Sequence, residues 1–253
     1  MTADDLHPQK STLEAPLPRR IAIVPAFNEE QAIGGVIDEI RAVDPGLKIL
    51  VVDDGSADNT SAVAAARGVE VIRLPFNLGI GGAVQTGYLY AMEHDFAIAV
   101  QIDGDGQHDP AQLEALLTPI LAGTADLVVG SRFADGRHPA ARSRRAGMRV
   151  LAALVSVLAR QPFTDTTSGF RALNRRSIAL FAADYPHDYP EVEAVLMAAR
   201  NRLRLVEVPV KMRRREAGRS SITAARSFYY MAKVTIALLM GLFRRRVVPQ
   251  EEP

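Results

Sequence analysis

Over the first 130 residues, short apolar runs alternate with segments of helical period, and acidic or amide residues gather where several of the runs end. Ile21–Pro25, Ile49–Val52, Val69–Leu74, Phe96–Ile102 and Leu127–Val129 read as strands. Between them, Glu29–Ala42, a segment opened by Asp58-Asn59-Thr60, Gly81–His94 and Pro110–Leu121 read as helices, the last with proline at its first position. This alternation predicts a mostly parallel central sheet flanked by helices, a Rossmann-like α/β fold. In such a sheet a ligand sits outside the carboxyl ends of the strands. Asn28-Glu29, Asp53-Asp54 and the pair Asp103/Asp105 all fall at those ends. That shared placement is harder to obtain by chance than any one of the motifs.

The run Val100-Gln101-Ile102-Asp103-Gly104-Asp105-Gly106-Gln107-His108 carries the most chemistry. Carboxylates two apart at the end of a strand project to one face. Mg²⁺ or Mn²⁺ binds through such oxygen ligands and keeps open positions for diphosphate oxygens. Asp103, Asp105, Gln107, Asp109 and Glu114 also match calcium-loop positions 1, 3, 5, 7 and 12, but His108 stands where that loop needs glycine and a strand precedes it. A turn Gly79-Ile80-Gly81-Gly82 has Val84 where a dinucleotide fingerprint needs its third glycine, so a tightly packed helix start explains it.

After Gly130 the alternation breaks down: Met148–Ala159 and Glu191–Arg202 read as helices, Phe170–Leu173 and Leu203–Val210 as strands. Charge divides there too. Residues 1–136 hold 8 Lys/Arg against 20 Asp/Glu, whereas residues 137–253 hold 22 against 9. Arginines cluster at 142, 144 and 145, at 213–215 with 219, and at 244–246, which points to an anionic partner such as phosphate or a membrane surface. Roughly Ile222–Phe243 is helical in pattern, rich in large apolar residues and closed by an arginine triplet. It is too interrupted by Lys233 and Gly241 for a span and suits a helix lying in a membrane interface. Residues 1–19 are expected to form a flexible tail without a signal-peptide core. The absence of cysteine excludes disulfides, thiolate metal sites and cysteine nucleophiles.

Five motifs occur in order: Val24-Pro25-Ala26-Phe27-Asn28-Glu29, Val51-Val52-Asp53-Asp54-Gly55-Ser56, Asp103-Gly104-Asp105, Gly130-Ser131-Arg132-Phe133 and Asp165-Thr166-Thr167-Ser168-Gly169-Phe170-Arg171. Over about residues 20–225 this resembles the family 2 glycosyltransferases of GT-A fold, in particular the branch that includes dolichol-phosphate mannose synthases. The resemblance implies a GT-A domain over 20–212, followed over 213–253 by a mobile donor loop, an amphipathic membrane-associating helix and a basic tail. It implies a donor site of Pro25, Phe27, Glu29, Val52, Asp53, Asp54, Asp103, Gly104, Asp105, Arg132 and Arg215. The metal, Mg²⁺ or Mn²⁺, falls to Asp103, Asp105 and Gln107; the acceptor phosphate falls to Arg132 and Arg144. Asp103, Asp105, Arg132 and Arg144 would carry catalysis. Three positions depart from the family pattern: Phe27 replaces a tyrosine, Met148 a serine and Ser221 a lysine.

The reaction so implied moves a sugar, with inversion, from a GDP- or UDP-sugar to a polyprenyl phosphate at the cytoplasmic face of a membrane, with a small membrane-embedded partner protein in some relatives. His94, His108 and His138 read as helix-end and loop residues, which suits an acceptor needing no strong base. A soluble or polysaccharide acceptor would instead require a carboxylate base, for which Asp165 and Glu193 are the candidates. A non-enzymatic RNA- or membrane-binding module would leave the acidic cluster unexplained and lacks interleaved aromatics, so no nucleic-acid partner is expected.

Overall fold

A computed structural model describes residues 18–134 and 142–213, together with Lys233. Seven strands form one sheet: β1 (Arg20–Ala26), β2 (Lys48–Asp53), β3 (Glu70–Arg73), β4 (Ile98–Gln101), β5 (Leu127–Ser131), β6 (Arg171–Asn174) and β7 (Leu205–Pro209). Their spatial order is β3-β2-β1-β4-β6-β5-β7. Every pairing is parallel except those of β6, which runs antiparallel to β4 and β5. The expected helix-flanked, mostly parallel sheet is what forms. The inserted β6 is the physical reason the β-α alternation fades after Gly130.

Helices α1 (Ile33–Val43), α2 (Thr60–Ala66), α3 (Gly79–Glu93), α4 (Leu113–Leu121), α5 (Arg142–Ala159), α6 (Arg175–Ala183) and α7 (Pro190–Arg200) connect the strands. Two apolar clusters lie on opposite faces of the sheet. Ile21 to Val24 and Leu50 to Val52 are wholly buried, which is why β1 and β2 read as continuous rather than alternating apolar runs. On one face α3 packs so closely that Gly87 has no room for a Cβ, which would stand 2.2 Å from Ile23. Tyr88 of the same helix meets Tyr185 and Phe181 with ring centroids 5.4 and 5.7 Å apart.

Element bounds differ from the sequence reading in ways that local chemistry explains. α1 begins at Ile33 rather than Glu29, because the carbonyl of Glu29 accepts the N–H groups of Ala32 and Ile33 in a preceding turn. Pro110–Gln112 form a 3-10 turn capped by the Asp109 side chain before α4 starts. α5 starts at Arg142, earlier than the apolar pattern that begins at Met148. α6 is absent from the sequence reading. It has nine residues, opens on two arginines, and is fixed by the Asn174 side chain accepting the Ser177 N–H at 3.0 Å. No helix among the described residues is long and apolar enough to cross a membrane. Of the tail expected over 1–19, residues 1–17 lie outside the described residues, whereas the Arg19 carbonyl accepts the Ala97 N–H at 2.9 Å; the helix expected over 222–243 lies outside them too, Lys233 apart.

Candidate active site

The carboxyl ends of β1, β2 and β4 open on one edge of the sheet, and β1 has β2 on one side and β4 on the other. The chain reverses its winding direction there, which leaves a crevice between the two diverging connections. A cleft of about 290 Å³ occupies it, lined by Pro25, Ala26, Phe27, Glu29, Asp54, Asn77, Gly79, Ile80, Ala83, Asp103, Gly104 and Asp105. Seven of the eleven expected donor residues line the cleft: Pro25, Phe27, Glu29, Asp54, Asp103, Gly104 and Asp105. Phe27 leaves an exposed aromatic face at the cleft, suited to stacking on a planar base.

Hydrogen bonds between two loops hold the wall. The Asn28 N–H donates to Ser56 Oγ at 2.9 Å, Ala57 N–H to Asn28 Oδ1 at 2.9 Å and Glu29 N–H to Thr60 Oγ1 at 2.8 Å. Asn28 takes a left-handed backbone (φ 56°), a conformation asparagine tolerates better than most residues. Gly55 also has positive φ, and a Cβ there would stand 2.9 Å from the Phe76 carbonyl carbon. The Asn-Glu and Asp-Asp-Gly-Ser motifs are therefore two halves of one latch.

The two aspartates of that second motif have different surroundings. Asp54 lines the cleft and accepts the N–H groups of Leu78 and Gly79 at 2.7 and 2.9 Å, capping the start of α3. The glycine-rich turn is thus a helix start: Gly81 packs against 186–187, where a Cβ would stand 2.5 Å from the Pro186 carbonyl oxygen. Asp53 is wholly buried and turned to structural tasks, accepting the Ser56 N–H at 2.8 Å and the Ser61 hydroxyl. The Val52 side chain belongs to the apolar core. Neither Val52 nor Asp53 lines the cleft.

At the end of β4, Asp103 and Asp105 both face the cleft, and Asp105 Oδ1 accepts the Gln107 N–H at 3.0 Å. Asp103 Oδ1 is buried and has no hydrogen-bond partner. An orphaned buried carboxylate oxygen is costly unless a cation or donor completes it. Two carboxylates with the Gln107 carboxamide nearby in sequence are hard oxygen donors of the kind Mg²⁺ and Mn²⁺ take, so the residues fit such an ion. Among the described residues no three His, Asp or Glu side chains converge as a complete cage. The backbone leaves just enough room for Asp103: a Cβ on Gly169 would lie 3.2 and 3.3 Å from its two oxygens and 3.0 Å from Gln101 Nε2.

His108 lies in the loop between β4 and the 3-10 turn, as read, but it is buried at 4% exposure, which the sequence reading did not anticipate. Its ring stacks on Phe170 at 4.8 Å and 11°. Nδ1 accepts the Asp103 N–H at 3.0 Å, and Nε2 lies 3.5 Å from Asp103 Oδ2. No local spacing reveals this, because Phe170 arrives from a distant part of the chain.

Arg132 is committed to Asp165. Its Nε and Nη2 donate to the two carboxylate oxygens at 2.7 and 2.8 Å, and Nη2 also reaches Thr167 Oγ1 at 2.7 Å. Burial works to raise the Asp165 carboxyl, but the hydrogen bonds and charge of Arg132 outweigh it and hold the group below its ordinary range. Asp165 is thus the mate of Arg132, with both oxygens engaged, rather than an available base. Glu191 has the opposite balance: burial lifts its carboxyl above the usual range, Arg171 opposes this and Asp103 adds to it. Glu191, two residues before the expected Glu193, is thus electrostatically coupled to the site. Arg171 is a wholly buried guanidinium, donating from Nε to the Ser168 carbonyl at 2.9 Å and from Nη2 to that of Glu191. Arg144 falls in the first turn of α5, and its side chain, like that of Met148, is outside the described residues, as are Arg215 and Ser221.

The sequence profile described as glycosyl transferase family 2 matches residues 21–181, which include the cleft and the Arg132–Asp165 pair. The chain belongs to this family. It is 30% identical over 232 residues to the polyprenol monophosphomannose synthase of Mycolicibacterium smegmatis, a match covering 87% of this chain and 86% of that protein. It is also 30% identical over 210 residues to the UDP-N-acetylglucosamine–dolichyl-phosphate N-acetylglucosaminyltransferase of Methanococcus voltae, covering 75% and 83% respectively. Among solved structures it is similar to glucosyl-3-phosphoglycerate synthase from Mycobacterium tuberculosis in complex with Mn²⁺, UDP-glucose and phosphoglyceric acid. That match has a TM-score of 0.64 and 25% identity, and covers 88% of this chain and 79% of the other. The fold is GT-A and the chain is a glycosyltransferase.

Proposed function

We propose that this family 2 enzyme transfers a sugar from a nucleoside diphosphate to a polyprenyl phosphate, with inversion at the anomeric carbon. The observation that carries the donor half is the cleft at the β1/β4 reversal, with Phe27 on its wall, Asp103 and Asp105 at the end of β4, and an uncompensated Oδ1 on Asp103. Pro25, Phe27, Glu29 and Asp54 would hold the nucleotide, and Asp103, Asp105 and Gln107 a Mg²⁺ or Mn²⁺ ion. That ion, when bound, neutralises charge on the departing diphosphate.

The acceptor half is supported by two relatives whose names specify polyprenol or dolichyl phosphate. Those names differ in the sugar, so GDP- and UDP-linked donors both belong in the test. A phosphate monoester has a second pKa of about 6 and is already nucleophilic near neutral pH. Proton abstraction is then unnecessary, which agrees with Asp165 being locked to Arg132. Arg132 and Arg144, with Arg215 on the donor side, would align the two phosphates, and positioning with charge stabilisation carries the rate. The basic segment and apolar pattern of 222–246 would hold the enzyme at the cytoplasmic face of the membrane, with or without a small membrane-embedded partner.

A second reading takes a soluble phosphorylated acceptor, because the solved relative binds phosphoglyceric acid. A hydroxyl nucleophile needs a base; both Asp165 oxygens are taken by Arg132, which leaves Glu193, with Glu191 two residues before it, as the carboxylates to test. Incubating the enzyme with GDP- and UDP-sugars, Mn²⁺ and either a short polyprenyl phosphate or 3-phosphoglycerate separates the two. Label extractable into organic solvent supports the lipid acceptor; label confined to the aqueous acceptor overturns it.

A further inference from the structure

We infer that His108 is a positioning residue that fixes the Asp103 carboxylate in the orientation a divalent cation requires; this rests on the metal-assisted reading above. One imidazole engages Asp103 twice. Nδ1 accepts the Asp103 backbone N–H at 3.0 Å, so that nitrogen presents a lone pair and the ring hydrogen sits on Nε2. Nε2 in turn faces Asp103 Oδ2 at 3.5 Å, leaving Oδ1 as the buried oxygen without a partner. The ring therefore distinguishes two otherwise equivalent oxygens. It sets Oδ2 on the accessible side of a side chain that is 34% exposed, so the carboxylate meets an incoming cation from the cleft in one orientation.

A side chain can orient another only if it is itself held. The His108 ring lies nearly parallel to the fully buried Phe170, 4.8 Å away. Its backbone forms an antiparallel bridge with Met212, and the adjacent Gln107 carbonyl accepts the Arg213 N–H at 2.8 Å. Arg213 is tied down further by Glu39 at 2.6 Å and Asp109 at 3.0 Å. On the far side Gly169 leaves the carboxylate no spare room. Hydrogen bonds to metal-ligating carboxylates commonly sustain about 10–100-fold in affinity.

Two substitutions separate the two contacts. The His108→Asn carboxamide places an acceptor near the Nδ1 position but has nothing at Nε2. The His108→Gln carboxamide extends a donor to the Nε2 position and forfeits the Nδ1 acceptor. The probe is Mn²⁺ itself, titrated into the full-length protein and followed by electron paramagnetic resonance, with Tm measured in parallel. Both variants should lower Tm by a similar amount, because each removes a buried ring stacked on Phe170; His108→Asn should in addition weaken Mn²⁺ binding about 10–100-fold, and His108→Gln should keep affinity within about threefold. Three results overturn the inference: no Mn²⁺ binding by the wild type, unchanged affinity in His108→Asn, or equal losses of affinity in both variants that track Tm. Failure of the lipid-acceptor reading shows itself separately, as Mn²⁺ binding that depends on His108 with no sugar transferred to polyprenyl phosphate.

Discussion

Removing Arg132 tests whether it acts first as a structural mate of Asp165 or simply as a phosphate ligand. Asp165 has no exposed side-chain surface, and Arg132 keeps 23% of its own. Four contacts between the two residues' shells disappear or weaken in Arg132→Ala: two guanidinium–carboxylate bonds, the Thr167 contact, and the rigidity of the Arg132 N–H bond at 3.0 Å. Breaking a buried pair from one side costs about 3–5 kcal/mol. Asp165 retains the Thr167 N–H and hydroxyl at 3.3 and 3.2 Å, which places the expected loss near the lower limit, about 3 kcal/mol. For a chain of this size that is a fall in Tm of roughly 10 °C. Thermal unfolding by circular dichroism reads it directly. The double variant Arg132→Met/Asp165→Asn should lose less stability than the single changes predict when added, because neither leaves a buried charge behind. Stability within about 1 kcal/mol of wild type for Arg132→Ala, or strict additivity in the double variant, would refute the pairing argument.

Asp126 should make the fold sensitive to acid. Burial pushes its carboxyl up, but Arg204, bonded at 2.7 and 3.1 Å through its side chain and 2.8 Å through its N–H, and Asn174 pull it down to about 2. A carboxyl depressed in the folded state contributes stability above its unfolded value of 3.8, which is lost as pH falls towards 2. Denaturant titrations between pH 5 and about 2 should show this loss diminished in Asp126→Asn. Gly87→Ala should destabilise by about 1–3 kcal/mol without a specific effect on metal binding, since its Cβ would strike Ile23 behind the cleft; a neutral urea midpoint contradicts the packing. Asp105→Ala should abolish sugar transfer while leaving the circular dichroism spectrum unchanged, and undiminished turnover removes Asp105 from the metal site.

What the sequence makes legible is set by whether the physics is local. β1, β2 and β4 announce themselves because both sheet faces are buried, and their acidic ends mark the cleft because parallel neighbours must present the same edge. Asp103 and Asp105 are visible for the same reason. The roles of Asp53 and Asp54 are not, since adjacent carboxylates separate only once one turns into a Ser56 turn and the other caps α3. Asp165 reads as a base candidate until Arg132, 33 residues earlier, closes on it. His108 and Glu191 are concealed in the same way: ring stacking and burial-shifted acidity arise from residues that meet only in the folded sheet.

The measurement that bears most directly on the proposed activity is transfer of labelled sugar to a short polyprenyl phosphate in the presence of Mn²⁺, run beside Asp105→Ala and a chelator control. Organic-extractable labelled glycosyl phosphate, lost in both controls, is the predicted result. Transfer that persists in the Asp105→Ala variant, or that reaches only a water-soluble acceptor, contradicts it.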